Sequence, residues 1–287
     1  MFRSLRALLD EPTPVLAPLA LDPLMARLAD QAGFRAVYLG GGGLGYSKTF
    51  LEANLDLSEM ARTGVEIASV TQVPIILDGA CGWGDPMHLR RTIALAEAAG
   101  FAAIEIEDQE FPKRASHHVG EDRIVSEELM AEKIRSAVAA RRDRDFLIIA
   151  RTNAAEPDEA LRRSEAYRAA GADVLIPIVG ARPNPEVLAG IGERLGPPLM
   201  FLAPPGGLAT VELGLEDLHA AGFRIVTDAM SLHLLVYAAL KAGYAELASN
   251  GFRIQAPRDW WQILDELHET IDLDALLETE RGKAGAR

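Results

Sequence analysis

The feature that most constrains this chain is a regular alternation of short apolar runs with longer segments of helical periodicity. The runs are apolar on both faces, which is typical of parallel strands that are covered by helices. Right-handed strand–helix–strand crossovers are the usual product of such an alternation. Eight runs fit this description, at residues 14–20, 34–40, 73–80, 101–108, 146–154, 172–179, 197–203 and 223–229.

Eight strand–helix units predict a (β/α)8 TIM-type barrel, for which 287 residues is a suitable length. A doubly wound open sheet is the alternative fold, but it does not call for eight regular units. Glycine also marks the predicted end of several helices, where a left-handed C-terminal cap is expected. These glycines are Gly33, Gly100, Gly171 and Gly222.

The chain is expected to carry more than the barrel. We assign residues 1–250 to a catalytic barrel domain and residues 251–287 to a C-terminal helical extension. The extension contains amphipathic patterns and the pair Trp260 and Trp261, which we expect to pack on a neighbouring subunit rather than to bind a cofactor.

Composition excludes several classes of function. The formal net charge is −13 and the pI about 5.0, so neither a nucleic-acid footprint nor attraction to an anionic membrane is expected. Cys81 is the only cysteine, which excludes an intrachain disulfide and a multi-cysteine metal site. The first residues resemble neither a signal peptide nor a membrane span. We therefore expect a cytoplasmic protein without nucleic-acid or membrane partners.

Polar residues end several predicted strands, and in a barrel of this type the chemistry lies at these carboxyl ends. Asp78 ends the apolar part of the third run, whereas Glu107 and Asp108 end the fourth run. Carboxylates that converge on one mouth repel each other unless a cation intervenes, and hard oxygen ligands suit Mg²⁺ or Mn²⁺. Arg151, near the end of the fifth run, adds a planar fork for the carboxylate of a small-molecule substrate.

These strand-end residues also have a purely structural interpretation. In that interpretation Asp78 caps the next helix, Glu107 pairs with Arg151, and no ligand binds. Cys81, in the loop after the third run, has no assured base beside it and is not expected to be catalytic. His233, after the eighth run, is expected either to face the mouth or to pack on its helix.

An ordered set of motifs extends from about residue 10 to about residue 245: "AVYLGGGG", "ILDGACGWGDP", "IEIEDQEFPKRASHH", "IIARTNA" and "AGADVLIPI". In this order and at barrel spacing, the motifs resemble the isocitrate lyase and phosphoenolpyruvate mutase superfamily. The resemblance implies a Mg²⁺-dependent enzyme that makes or breaks a C–C or P–C bond next to a carboxylate, through an enolate. It also implies a homotetramer in which the eighth helix is exchanged between subunits.

The superfamily's substrate-binding turn after the second strand reads tyrosine, any residue, serine, glycine, glycine. Here Tyr38 keeps the tyrosine, but Gly40 stands in place of the serine. Gly41 and Gly42 follow, and their N–H groups would donate to a carboxylate or an enolate oxygen. The resemblance therefore assigns substrate binding to this turn.

The superfamily's metal site is only partly present in this sequence. Asp78 matches the first of two aspartates at the end of the third strand, but the second is Ala80. Glu107 matches the glutamate that bridges to the metal. The resemblance therefore implies Asp78 and Glu107 as ligands of Mg²⁺ or Mn²⁺, with Glu52 or Asp85 as candidates to help.

The loop after the fourth strand separates activities within the superfamily. The C–C lyases read Lys-Arg-Cys-Gly-His there, and the cysteine is thought to protonate the departing enolate. In this chain the loop reads "KRASH", with Ala115 at the cysteine position. The superfamily usually has a glutamate at the end of the sixth strand, and this chain has Ile178 at that position. Members without the cysteine include oxaloacetate decarboxylases and phosphonopyruvate-type enzymes.

These features predict oxaloacetate decarboxylase-like cleavage of a carbon–carbon bond in a 2-oxo or 2-hydroxy di- or tricarboxylate. We expect Arg151, His117 and Lys113 to be catalytic. His233 is expected to contact the substrate, under a mobile lid formed by residues 109–124. The alternatives are a C–C lyase of the methylisocitrate or dimethylmalate type, a P–C bond enzyme acting on phosphonopyruvate, and a catalytically silent barrel that binds a 2-oxo acid.

Overall fold

A computed structural model describes residues 4–177, 184–255 and 257–284. In these residues eight strands alternate with helices, and each strand lies within one of the eight predicted runs. The strands are β1 (Val15–Pro18), β2 (Val37–Leu39), β3 (Ile75–Asp78), β4 (Ala103–Glu107), β5 (Leu147–Thr152), β6 (Val174–Pro177), β7 (Leu199–Ala203) and β8 (Phe223–Asp228).

Helices follow every strand in the described part of the chain. The α-helices are α1 (Leu5–Leu8), α2 (Pro23–Gln31), α3 (Gly41–Ser47), α4 (Leu57–Ala68), α5 (Pro86–Ala98), α6 (Glu127–Ala140), α7 (Pro157–Ala169), α8 (Pro185–Leu195), α9 (Leu215–Ala220), α10 (Ser231–Ser249), α11 (Trp260–Thr270) and α12 (Leu273–Ala284). Short 3₁₀ turns occupy Glu52–Asn54, Ala115–Val119 and Gly207–Thr210.

The strands form one parallel sheet in which neighbours follow the chain order from β2 to β8, and β8 then pairs with β1. Backbone contacts join the two ends of this sheet. Leu19 forms a parallel bridge with Tyr38, and the N–H of Ala20 donates to the Tyr38 carbonyl at 2.9 Å. The predicted (β/α)8 barrel is therefore confirmed, and the open-sheet alternative is wrong.

Local sequence signals set where the helices begin and end. Asp56 accepts a hydrogen bond from the Glu59 N–H, and Glu59 accepts one from the Asp56 N–H, so the pair forms a capping box at the start of α4. The four glycines expected at helix C-termini all adopt a left-handed backbone conformation, which residues with a side chain rarely adopt. They are Gly33 (φ 87°), Gly100 (φ 86°), Gly171 (φ 104°) and Gly222 (φ 91°).

The chain divides into two compact units, residues 1–233 and 234–287. The first unit contains the eight strands. The second contains most of α10 with α11 and α12, and exposes large apolar side chains that include Tyr244 and Trp261. None of the helices in the described ranges is long and apolar enough to cross a membrane. Exchange of a helix and packing of residues 251–287 on another subunit stay predictions.

Candidate active site

Strand β4 directs two glutamates to the same side of the barrel wall. Glu105 and Glu107 are two residues apart, so the alternation of side chains along a strand points both the same way, and both are buried. The strand register puts Glu105 beside Asp78 of β3, and Glu107 beside Arg151 of β5. Four ionisable side chains therefore meet near the carboxyl ends of three adjacent strands.

The loop after β4 inserts a lysine among these carboxylates. The Lys113 ammonium donates to Glu52 Oε1 and to Glu107 Oε1, both at 2.6 Å, and only 5% of the lysine side chain is exposed. Glu52 belongs to the 3₁₀ turn after α3 and lies 61 residues from Lys113 in the chain. The lysine thus links a carboxylate of the turn after α3 to a carboxylate at the end of β4.

Two glycines of α3 make room for Glu52. A Cβ atom at Gly41 would lie 2.6 Å from Glu52 Cγ, and one at Gly45 would lie 2.7 Å from the Glu52 backbone nitrogen. Both distances are shorter than real side chains tolerate, so glycine at these positions lets the Glu52 turn approach the helix. The glycine-rich stretch after β2 therefore positions a carboxylate as well as backbone donors.

Backbone N–H groups hold Asp78. Its Oδ2 accepts from Gly41 at 2.9 Å, and its Oδ1 accepts from Ala80 at 3.0 Å. Gly41 is the first residue of α3. Asp78 therefore caps a helix, as the structural interpretation predicts, but the helix is α3 and not the one that follows Asp78 in the chain. The Gly41 N–H, predicted to serve a substrate oxygen, donates to Asp78 in this structure.

Arg151 joins the two glutamates of β4. Its Nη1 donates to Glu105 Oε1 at 2.9 Å, and its Nε lies 3.5 Å from Glu107 Oε2. Nε and Nη2 also donate to Asn153 Oδ1, and Asn153 Nδ2 donates to Glu107 Oε2 at 2.9 Å. The Glu107–Arg151 pair of the structural interpretation is therefore present. Only 15% of the Arg151 side chain stays exposed.

Tyr38 and Gly40, the first residues of the predicted substrate-binding motif, are less accessible than predicted. Tyr38 is buried, and its hydroxyl donates to Glu105 Oε2 at 2.8 Å. Burial, followed by the charges of Asp78 and Glu105, raises the pKa of Tyr38 well above its usual value, so the phenol stays a neutral donor. Gly40 packs against Leu19 and the Tyr38 ring. Both predicted substrate-binding residues thus contact protein groups in the barrel wall.

Gly42 belongs to α3, and the same helix contributes Tyr46 to an aromatic cluster. A Cβ at Gly42 would meet Met230 Cε at 3.7 Å, an ordinary contact distance. The Tyr46 ring stacks on His233 with centroids 6.1 Å apart, and the Tyr46 hydroxyl lies 2.9 Å from His118 Nδ1. The structure therefore places His233 in this aromatic cluster.

His117 is paired within its own loop. Its Nδ1 lies 2.6 Å from Asp122 Oδ1 and 2.6 Å from Gln109 Nε2, and Gln109 also contacts Asp122. These contacts close the segment 109–124 on itself. Of the two residues of this loop that we predicted to be catalytic, Lys113 reaches the strand-end carboxylates, whereas His117 contacts loop residues.

Asp108 belongs to an anchor behind the site. The side chain is fully buried and accepts hydrogen bonds from the Thr152 hydroxyl at 2.7 Å and from the Tyr167 hydroxyl at 2.9 Å. It also accepts from the Asn153 N–H at 2.9 Å. Because the Asn153 side chain contacts Glu107, this anchor helps to fix the glutamate from the rear.

The carboxylates of the site ionise unevenly. Burial opposes the charge of Glu107, but neighbouring cations, Arg151 first, outweigh it and lower the pKa of Glu107. Burial, and next the charge of Asp78, raises the pKa of Glu52. Burial also raises the pKa of Glu105 to about 7, against the lowering effect of Arg151. The site therefore holds more carboxylate than its own cations stabilise fully.

This excess of carboxylate fits a divalent cation in charge and in ligand type. Two cations lie among four buried carboxylates in the described part of the chain: Lys113 and Arg151 among Glu52, Asp78, Glu105 and Glu107. As arranged, however, no three His, Cys, Asp or Glu side chains of the described residues come together closely enough to hold a metal ion. The Lys113 ammonium holds oxygens of Glu52 and Glu107 instead.

Some residues of the site are absent from the prediction. Glu105 and Asn153 each lie two residues from a predicted site residue, and this spacing along a strand is the signal that could have found them. Asp85, a candidate metal ligand, lies at the start of α5, where its N–H contacts His88 Nδ1 at 3.1 Å. Ile178 lies outside the described residues.

Comparison with known proteins extends the resemblance to the whole barrel. Residues 5–248 match the family model described as phosphoenolpyruvate phosphomutase. A probable 2-methylisocitrate lyase 2 from Corynebacterium glutamicum is 39% identical over 60% of this chain, which spans 57% of that relative. The 2,3-dimethylmalate lyase from Eubacterium barkeri is 32% identical over 99% of this chain and 98% of its own length. An oxaloacetate decarboxylase from Paraburkholderia xenovorans is 32% identical over 81% of this chain and 84% of its own length.

Solved structures agree with these matches. A phosphonopyruvate hydrolase in complex with oxalate and Mg²⁺ superimposes with a TM-score of 0.82 over 96% of both chains, at 30% identity. The family match covers well over half of the chain, and the three relatives compared above are named as lyases or decarboxylases. This chain belongs to the phosphoenolpyruvate phosphomutase family, within the isocitrate lyase and phosphoenolpyruvate mutase superfamily.

Proposed function

We propose that the protein is a lyase that releases CO2 from a 2-oxo dicarboxylate and stabilises the enolate that remains, as an oxaloacetate decarboxylase does. The observation that carries this proposal is a buried arginine at the strand ends, Arg151, beside an excess of buried carboxylate that suits a divalent cation, combined with an alanine, Ala115, in the loop after β4. Decarboxylation needs positive charge near the developing enolate, and a proton from water or a nearby acid. It does not need the cysteine acid of the C–C lyases.

In the proposed reaction on oxaloacetate, the bond between C3 and C4 breaks and C4 leaves as CO2. The bonding electron pair forms the C2–C3 double bond, and the C2 oxygen becomes an enolate. A proton then adds at C3 and gives pyruvate. Arg151 holds a substrate carboxylate, the Gly42 N–H donates to the enolate oxygen, and His117 or water supplies the proton.

The proposed reaction includes a divalent cation, Mg²⁺ or Mn²⁺. Asp78 and Glu107 would hold it, with Glu52 beside them, and the cation would act as a Lewis acid toward the 2-oxo acid. The excess of buried carboxylate at the strand ends supports this assignment, as does the Mg²⁺ in the related phosphonopyruvate hydrolase complex.

A second candidate is cleavage of a methyl-substituted malate. The similarity to 2,3-dimethylmalate lyase, which extends over 99% of this chain, favours it. This reaction needs a base for the substrate hydroxyl and an acid for the departing enolate. Because Ala115 replaces the cysteine, the acid would have to come from another residue or from water, as in decarboxylation, but decarboxylation does not need the base for a hydroxyl.

We further propose a cytoplasmic homotetramer that is assembled through the C-terminal segment 251–287. Trp260 and Trp261 of this segment are 52% and 73% exposed. Large aromatic side chains exposed together mark a surface that is suited to another subunit.

The experiment that tests the proposed reaction is an NMR assay of four substrates with Mg²⁺: oxaloacetate, 2,3-dimethylmalate, 2-methylisocitrate and phosphonopyruvate. The proposal predicts pyruvate from oxaloacetate at a rate well above that of Mg²⁺-containing buffer. Arg151→Lys is the matched control for contaminating activity. Turnover of dimethylmalate, methylisocitrate or phosphonopyruvate alone would replace the proposal by that activity, and binding without turnover would identify a silent barrel.

A further inference from the structure

The Lys113 ammonium holds oxygens that a divalent cation also needs. It donates to Glu52 Oε1 and Glu107 Oε1 at 2.6 Å each. We propose that Lys113 is a tethered competitor of the divalent cation, so that metal binding displaces the ammonium from the two glutamates and releases the loop that carries it. This inference rests on the cation of the proposed function and adds a residue that controls its binding.

Competition follows from the positions of the two glutamate oxygens. Mg²⁺ binds carboxylate oxygen at about 2.0–2.1 Å. A metal ion bonded to the same oxygens would lie in the space of the ammonium or within a few Å of it. Both arrangements are unfavourable, because like charges repel strongly at short range in a buried site. One of the two cations therefore has to withdraw.

Lys113 is the cation that is free to withdraw. The alternative, Arg151, extends from strand β5 and also donates to Asn153 Oδ1. Lys113 extends from a loop, and Glu52 and Glu107 are its hydrogen-bond partners among the described residues. A loop lysine with a flexible four-carbon side chain moves at lower cost than an arginine fixed to a strand.

Withdrawal of the ammonium would be transmitted to the loop. Within residues 111–115, Lys113 is buried and the other four residues are exposed. The two ion pairs of Lys113 therefore tie this segment to the barrel. When a metal ion takes the carboxylates, the segment loses this attachment, and the peptide bond after Arg114 becomes more accessible. Metal occupancy and loop position are coupled through one side chain.

The first test is Mn²⁺ affinity, measured by the electron paramagnetic resonance signal of free Mn²⁺. Lys113→Met keeps the length of the side chain without the charge, and we expect it to bind Mn²⁺ about tenfold more tightly than the wild type. Lys133→Met is the matched control. Lys133 is also a buried lysine, but it donates to the Cys81 carbonyl and, among the residues that the structure describes, to no carboxylate. Its loss should leave the affinity within about threefold.

The second test separates displacement from simple charge repulsion. We expect Mn²⁺ to accelerate tryptic cleavage after Arg114 in the wild type and to have no such effect in Lys113→Met, where the segment is already released. Affinity in Lys113→Met that is equal to or weaker than wild type would overturn the inference. So would tight Mn²⁺ binding by the wild type without a change in cleavage.

Two further controls keep the result interpretable. If Lys113→Met does not fold, as judged by circular dichroism, Lys113→Gln replaces it under the same criteria. Failure of the proposed function is seen separately, as absence of turnover in the substrate panel while Mn²⁺ affinity and cleavage respond as predicted. Failure of the inference is seen as unchanged Mn²⁺ affinity, whichever substrate is turned over.

Discussion

Replacement of Tyr167 by phenylalanine tests the buried anchor behind the site. Tyr167 is fully buried, and its hydroxyl donates to Asp108 Oδ2 at 2.9 Å. The same carboxylate oxygen accepts from the Thr152 hydroxyl at 2.7 Å, and the other accepts from the Asn153 N–H at 2.9 Å. Removal of the tyrosine oxygen therefore weakens the anchor without abolishing it.

The expected loss comes mainly from the hydrogen bond to Asp108, because the phenylalanine ring fills the same space and leaves little cavity. A hydrogen bond to a charged group contributes about 1.5–3 kcal/mol. Arg163 Nη1, which lies 3.3 Å from the tyrosine oxygen, keeps the Val125 carbonyl as a partner. We expect the free energy of unfolding to fall by about 2 kcal/mol, within this range. The Tm should fall by roughly 4–8 °C.

Urea and thermal unfolding, followed by circular dichroism, measure this loss. Tyr46→Phe is the matched control, because Tyr46 also carries a hydrogen-bonded hydroxyl but is 38% exposed. We expect its unfolding free energy to change by less than about 0.5 kcal/mol. Equal losses in the two variants, or a loss in Tyr167→Phe as small as that of the control, would refute the reasoning.

Three further outcomes are expected. Arg151→Lys should lower kcat/KM roughly 100-fold, because an ammonium cannot reproduce the planar pairing with Glu105 and Asn153. Cys81→Ser should leave kcat/KM within a few-fold, because burial raises the pKa of the thiol and keeps it unreactive; steady-state kinetics checks both, and the reverse order of effects would contradict them. Exhaustive EDTA treatment should abolish turnover and added Mg²⁺ should restore it, whereas activity that is untouched by EDTA would count against the cation. Light scattering at micromolar concentration should give the mass of a tetramer, and a monomer would disprove assembly through residues 251–287.

The barrel was predictable because its signal is local and repeated. Each strand is a short run that is apolar on both faces, and glycine marks the helix ends, so the pattern is readable without knowledge of distant contacts. Part of the site shares this property. Asp78, Glu107 and Arg151 lie on adjacent strands, and the register of a parallel sheet brings them together once the fold is known.

Contacts made by loops were not predictable in the same way. The Lys113–Glu52 pair joins residues 61 positions apart, and no periodic pattern fixes the path of either loop. The role of Gly41 is similar, because its N–H donates to Asp78 across 37 positions. Tyr38 was assigned to the substrate by resemblance, but its partner in the structure is Glu105. Tertiary packing decides which partner a polar group takes.

In the proposed function, the strand ends form a site that stabilises an enolate. Oxalate, a planar dianion that resembles the enolate of pyruvate, tests this claim most directly. The measurement is the inhibition constant of oxalate and of pyruvate, with Mg²⁺ present, against whichever substrate the NMR assay identifies. Competitive inhibition by oxalate should be about tenfold or more tighter than inhibition by pyruvate. Inhibition by oxalate that is no tighter than inhibition by pyruvate would contradict this claim.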